Sequence, residues 1–285
     1  MPSVLEILNK TEEYFREKKV PNAKGDARSL IAQVLGCSKP LDLYLQYDRL
    51  LKEPELEQLR SLVRRRGNRE PLQYLLEIAD FYDLKLEVSA SVLIPRPETE
   101  ELVEYIRSEL DKVGWRPGAI LDIGTGSGAI ALALAKTFPQ ANVKGVDIEE
   151  ACLATAFNNA QRNGISNVNF SHGNLFEGLE TGYDLIVSNP PYLSPQEWHA
   201  TEPEIQGYEP YTALVAEPDG LSVLTNILQN AQTYLREGGY LFLEIGCSQR
   251  EAVWTLAEKN GWEPLECKND LDGHPRFFKL VLFNR

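Results

Sequence analysis

Ala119-Ile120-Leu121-Asp122-Ile123-Gly124-Thr125-Gly126-Ser127-Gly128, continued by Ala129-Ile130-Ala131-Leu132-Ala133-Leu134-Ala135, is the stretch that decides the fold. Its first five residues are a short apolar run of strand length, and its last seven are strong helix formers. Between them, glycines at alternate positions allow a tight turn and let a ligand approach the backbone where side chains would block it. Downstream, Val143-Lys144-Gly145-Val146 reads as a second strand and ends in Asp147, 23 residues after Gly124. Strand, glycine loop, helix, strand and acid, in that order, predict a site for a nucleoside cofactor, with Asp147 accepting from both ribose hydroxyls. Gly124, Gly126 and Ala129 also satisfy the looser dinucleotide pattern, so the loop alone does not separate NAD from S-adenosylmethionine.

Farther along, Tyr183-Asp184-Leu185-Ile186-Val187-Ser188 is another apolar strand, and Asn189-Pro190-Pro191-Tyr192 ends it. The prolines have no N–H and restrict both themselves and their predecessors. An Asn held stiffly at a strand end, with an aromatic ring beyond, suits a planar nitrogen group such as an amide or exocyclic amine. A proline-rich loop that merely closes the strand is equally consistent with these four residues alone.

From Thr99 onward strands and helices alternate, which predicts a doubly wound α/β sheet. Strands fall near 119–123, 143–147, 167–170, 183–188 and 239–245. A final pair near 263–268 and 276–283, joined by the loop from Asn269 to Pro275, makes seven and includes an antiparallel member. Upstream, Ser3 and Glu6 predict a capping box that opens a helix running to about Lys19. Asp26 is read as the cap of a second helix, with Ala27, Leu30, Ile31, Val34 and Leu35 on one face and Gly36 as its stop. Glu55 to Arg66 is a third, with Leu56, Leu59, Leu62 and Val63 facing inward. The expected organisation is a helical domain over 1–75, a hairpin and stiff linker over 76–98, and the sheet domain over 99–285.

With 285 residues, 43% hydrophobic and 25% charged, the chain has the composition of a soluble globular protein and ample length for a core. No apolar run reaches membrane-spanning length, and the start of the chain, with Glu6, Glu12 and Glu13, does not read as a leader. Cys37, Cys152, Cys247 and Cys267 are far apart and not at metal-ligand spacing, so they are expected to be free, mostly buried and in a reducing compartment. These features predict a cytoplasmic protein without a metal. The net charge of −13 is uneven: residues 1–75 hold 14 basic against 11 acidic residues, residues 76–285 hold 15 against 31. The acidic part would repel nucleic acid and attract a basic protein. Arg64-Arg65-Arg66, with Arg60 and Arg69, reads as the solvated face of a helix before it reads as a partner patch.

Several segments now resemble a known family in their order along the chain: Arg64 to Arg66 with Glu70 to Leu75, Leu93-Ile94-Pro95-Arg96-Pro97-Glu98-Thr99-Glu100, Leu121 to Ala135, Asn189 to Tyr192, and Leu243 to Gly246. The chain resembles the protein-glutamine N5-methyltransferases, most closely the branch that modifies peptide chain release factors. The resemblance implies a Rossmann-like methyltransferase sheet behind a helical, substrate-recognising domain. It also implies S-adenosyl-L-methionine as cofactor, S-adenosyl-L-homocysteine as product, and methylation of the glutamine in the Gly-Gly-Gln motif of class-1 release factors; the hydropathy and the acidic charge add the expectation of a monomer that binds neither membrane nor nucleic acid. Gly124, Thr125, Gly126, Ser127, Gly128 and Asp147 would hold the cofactor. Arg96, Thr99 and Glu244 would line the pocket, where Arg96 is also consistent with a surface ion pair and Thr99 with a helix cap. Asn174 and Leu175 stand where relatives often carry an acid and a Trp beside the adenine; Asn174 can still meet an adenine edge. Leu76-Glu77 stands where relatives commonly have a glycine.

The chemistry follows from the residues. A glutamine nitrogen is a poor nucleophile, and no general base is evident near Tyr192; His199 reads as a surface loop residue. Catalysis would rest on positioning. Asn189 can accept from the substrate N–H and donate to its carbonyl, the Pro190 carbonyl can accept the second N–H, and Pro191 and Tyr192 complete the substrate site, with the ring face near the cationic methyl. A methyltransferase for a ribosomal-protein glutamine, or for a DNA or RNA amino group, uses a similar loop, but the acidic sheet domain disfavours nucleic acid.

Overall fold

The structure, a computed structural model, describes residues 1–37 and 40–282. They form two compact units, Met1–Ile78 with Glu202–Tyr208, and Ala79–Thr201 with Glu209 onward.

In the first unit, α1 (Val4–Glu17), α2 (Ala23–Val34), a 3-10 turn (Pro40–Gln46), α3 (Glu53–Gly67) and α4 (Leu72–Leu76) enclose Val4, Leu8, Phe15, Leu30, Ile31, Leu56 and Leu59. The Ser3–Glu6 capping box forms as expected. Asp26 does not cap α2: the helix starts at Ala23, and Asp26 is buried in its first turn, where its carboxylate accepts from Arg66 Nε at 2.7 Å. The spacing explains the error, because position 26 lies one turn before Leu30 and so shares its inward face. Burial raises the Asp26 pKa and the Arg66 guanidinium opposes the shift. The reading of the arginine run as a solvated face holds for Arg64 and Arg65 but fails for Arg66, which is 5% exposed. Arg66 continues the inward stripe of Leu56, Leu59 and Val63, and its Nη1 donates to Glu204 at 3.1 Å and to the Glu70 carbonyl at 3.0 Å. Arg69 joins the same carboxylate, its Nε donating to Glu204 at 2.6 Å. Glu77 closes α4 at φ 56°, the left-handed region that a glycine would occupy without strain.

The second unit begins with a hairpin of β1 (Ile78–Phe81) and β2 (Leu84–Glu87), turned by Tyr82 and Asp83 at φ 46° and 59°. There follow α5 (Pro97–Lys112), β3 (Ala119–Ile123), α6 (Ala129–Thr137), β4 (Asn142–Asp147), α7 (Glu150–Arg162), β5 (Val168–His172) and β6 (Tyr183–Ser188). After α8 (Pro195–Trp198), and past α9 (Pro203–Tyr208), which belongs to the first unit, come α10 (Ser222–Tyr234), β7 (Leu235–Glu244), α11 (Arg250–Lys259), β8 (Glu263–Asn269) and β9 (Pro275–Val281). The seven strands β3 to β9 lie in the order β5-β4-β3-β6-β7-β9-β8; β9 runs antiparallel to both its neighbours and the other pairings are parallel. The expected end of the last strand at residue 283 lies outside the described residues. β7 starts at Leu235, four residues before the predicted 239, where a register shift lets Leu235 pair with Tyr183.

Both faces are covered, as the near-continuous apolar strands require. Ile120 packs on one side with Leu102 and Ile106 of α5 and Leu132 of α6, while its neighbour Leu121 packs on the other with Leu224 and Leu228 of α10 and Val253 of α11. All four cysteines are free, but only Cys152 is buried; Cys247 is exposed, and Cys37 and Cys267 are half-buried. Their mostly buried placement is therefore corrected. The chain order reverses between β3 and β6, and at such a switch point the loops leaving two carboxyl ends part to leave a crevice.

Candidate active site

The loop after β3 takes φ of 71°, 55° and 82° at Gly124, Gly126 and Gly128. A Cβ at Gly124 or Gly126 would meet nothing within 4 Å, so backbone conformation rather than crowding demands glycine there. At Gly128 a Cβ would stand 3.1 Å from the Ala156 Cβ, so this glycine also lets α6 approach α7. The loop hangs from the end of β4: the N–H groups of Gly124 and Thr125 donate to the Val146 carbonyl at 2.8 and 3.0 Å. Asp147 Oδ2 accepts from Gly126 N–H at 2.8 Å and Oδ1 from Glu149 N–H at 3.0 Å, which fixes its carboxylate at the rim.

Thr125 and Ser127 do not contact the crevice with their side chains. Both are buried, and the Thr125 hydroxyl donates to Asp122 Oδ2 at 2.7 Å beneath the loop. Asp122, which also accepts from Ala131 N–H, is fully buried, and loss of solvent pushes its pKa up to about 7. A cavity of ≈ 350 Å³ opens above, with Gly124, Gly126, Asp147, Asn174, Leu175 and Asn189 in its wall. That volume lies within the range of small-molecule sites. Leu175 stands at φ 55°, and Ile148, next to Asp147, is 54% exposed.

A smaller cavity of ≈ 30 Å³ adjoins it, lined by Arg96, Asn189, Pro190, Pro191, Tyr192 and Leu214, among others; Leu93, Asn189, Pro191 and Ala213 border both. Asn189 thus stands at the junction of the two. Its Nδ2 donates to Thr99 Oγ1 at 3.0 Å, the Thr99 hydroxyl donates to Glu244 Oε2 at 2.8 Å, and the Tyr192 hydroxyl approaches Glu244 Oε1 at 3.4 Å. Loss of solvent pushes the Glu244 pKa to about 7, and burial also raises that of the Tyr192 phenol. Thr99 and Glu244, expected in the pocket wall, are instead buried behind Asn189, at 4% and 1% exposure. The alternative of Thr99 as a helix cap is excluded, since Arg96 holds the N-cap position of α5 and no side chain caps it. The Arg96 guanidinium makes its ion pair with buried Glu209 at 2.7 Å while lining the smaller cavity. His199 is exposed, at the C-cap of α8, with its ring against Trp198.

The sequence reading missed Ser91, Ile148, Glu149, Cys152, Pro210, Thr212 and Val223 among the lining residues. Ile148 and Glu149 carried a signal, since they follow the strand-end Asp147 directly. Pro210 to Ala213 carried none; the Leu193–Val215 bridge and the Tyr192 N–H to Leu214 carbonyl bond bring that stretch over the loop. Among the described residues no cluster of His, Cys, Asp and Glu is placed to hold a metal, and no helix is long and apolar enough to cross a membrane.

A glycine loop and strand-end acid for a nucleoside, beside an amide-bearing loop on the next strand, define an S-adenosylmethionine-dependent methyltransferase site on a doubly wound sheet. Residues 117–270 match the methyltransferase domain family, and residues 6–76 match the PrmC N-terminal domain. The release factor glutamine methyltransferase of Geobacter sulfurreducens is 41% identical, over 91% of this chain and 90% of its own. That of Rhodopirellula baltica is 37% identical, over 98% and 96%. A solved methyltransferase from Pyrococcus furiosus shares the fold, with a TM-score of 0.52 at 23% identity over 70% of this chain and 90% of its own. The chain belongs to the release factor glutamine methyltransferase family.

Proposed function

We propose that this protein methylates the side-chain N5 of the glutamine in the Gly-Gly-Gln motif of a class-1 release factor, in the cytoplasm and as a monomer. The observation that carries this reading is Asn189, which presents an amide where the cavity of ≈ 350 Å³ meets the narrow slot of ≈ 30 Å³. The residues fit the cofactor. Glycines without Cβ atoms leave the loop open, Asp147 is fixed to accept from ribose hydroxyls, and Ile148 and Leu175 offer apolar surface to a base. When bound there, S-adenosylmethionine would supply an electrophilic methyl to the glutamine nitrogen, the S–C bond giving its electron pair to sulfur and one amide proton leaving to water.

The protein's own task is to hold the nitrogen in line. Asn189 Oδ1 accepts one substrate N–H, and the Pro190 carbonyl accepts the other, which draws the nitrogen lone pair out of conjugation. The expectation that Asn189 also donates to the substrate carbonyl falls to its second N–H, since the first serves Thr99. Arg96 is fixed by Glu209 beside the slot. The excess of 31 acidic over 15 basic residues in 76–285 favours a basic protein over a nucleic acid, and residues 1–75 would supply recognition of that protein.

Incubation with methyl-labelled cofactor and a release factor, followed by peptide mapping, tests the reading. The label is expected on the Gly-Gly-Gln glutamine and absent when that residue is replaced by alanine. Label on a ribosomal protein alone would transfer the activity to that substrate; label on nucleic acid would overturn it. Association with the release factor should slow as salt rises.

A further inference from the structure

Resting on that reading, we infer that Thr99 and Glu244 form a relay that sets which way the Asn189 amide faces. Adjacent parallel strands place the parts. β6 and β7 pair Ser188 with Leu243, so the next residues, Asn189 and Glu244, leave the same edge of the sheet side by side. Thr99, in the first turn of α5, lies between them and bonds to both. A threonine hydroxyl has one hydrogen, and here it goes to Glu244 Oε2. The oxygen of Thr99 can then only accept, and what it accepts is an Asn189 N–H. Were the amide turned over, Oδ1 would face the Thr99 oxygen with no hydrogen between them.

The carboxylate of Glu244 therefore determines, through one hydroxyl, that Asn189 keeps Oδ1 for the substrate N–H. Asn189 touches substrate in this reading; Thr99 and Glu244 act through it and are positioning residues. Protonation would reverse the order. A neutral Glu244 can donate to Thr99, whose hydrogen then turns to Asn189 and draws Oδ1 away from the slot. The groups facing Glu244 are Glu98 and Thr99 of α5, Tyr192 after β6 and Arg276 of β9; Arg276 and the two hydroxyls favour the charged form, burial and Glu98 the neutral one.

Kinetics of the full chain with S-adenosylmethionine and a release factor test this with Thr99→Val, Thr99→Ser and Glu244→Gln. Losing the orienting hydrogen bond should lower kcat about ten-fold or more in Thr99→Val, with cofactor affinity little changed. Thr99→Ser, which keeps the hydroxyl and loses the methyl, should restore most of that rate. A merely structural threonine predicts the opposite, because valine preserves shape. Wild-type kcat should fall as pH drops below about 7, and Glu244→Gln should be slow with that acid limb gone. Thr99→Val turning over like wild type, or Thr99→Ser failing as badly as Thr99→Val, overturns the relay, as does an acid limb that persists in Glu244→Gln. If Thr99→Val does not fold, the serine and glutamine variants still decide. Wild type failing to methylate glutamine at all would instead remove the reading beneath it.

Discussion

The loops that leave β3 and β6 lie next to each other at the switch point and are made of opposite materials. Gly124 to Gly128 uses residues that lack a Cβ so that the backbone can enter the left-handed region three times in five residues. Asn189 to Tyr192 uses two residues locked in φ, which stiffens the backbone that carries one amide side chain. Yet both stand on the same support, a buried carboxylate that takes a threonine hydroxyl: Asp122 with Thr125, and Glu244 with Thr99. Desolvation pushes both acids to about 7. The first loop thus offers its main chain to a ligand, and the second offers a side chain.

If that division holds, the largest effect belongs to the side chain at the second loop. Asn189→Ala should lower methyl transfer by about 10²–10³-fold, the usual cost of losing a preorganised polar contact in a dry site, while calorimetry shows little change in cofactor affinity. Near-normal turnover in a folded, cofactor-binding variant would break the comparison. At the first loop, Asp147→Ala should weaken S-adenosylmethionine by about 1.5–3 kcal/mol, the worth of a charged hydrogen bond. Equal affinity for both proteins in the same titration would remove Asp147 from the ribose.

Two backbone substitutions sharpen the contrast in materials. Gly128→Ala should cost about 1–2 kcal/mol of stability for a left-handed alanine, and somewhat more because its Cβ would press on Ala156; thermal unfolding checks this. Pro191→Ala should cost only about 0.4–1 kcal/mol, through a looser unfolded chain. A larger loss for the proline than for the glycine would show that stiffness, rather than conformational freedom, is the scarcer requirement of this crevice.

Much of this was legible in the chain. The strands at 119–123, 143–147 and 183–188 were visible because local apolar runs bounded by glycine or proline fix both element and end. The glycine loop, Asp147 and Asn189 were legible because each sits where a strand stops, a position set by sequence neighbours alone. Asp26 and Arg66 were misread because an acid near a helix start and a basic run near a helix end usually face water; here both lie on inward stripes and neutralise each other. Thr125 and Ser127 were placed toward the cofactor by loop membership, but a turn that alternates left-handed glycines sends the residues between them underneath.

The period of each element, the two loops and the acid that ends β4 were set locally, since these depend on contacts within a few residues. The packing of the folded chain was needed to bring Thr99 and Glu244, 145 residues apart, together behind Asn189. The same packing brought Pro210 to Ala213 to the cavity and buried Arg66 against Asp26. Those placements depend on strand order and on which face meets which, and burial then converts a chance neighbour into the one hydrogen-bond partner a polar group can find.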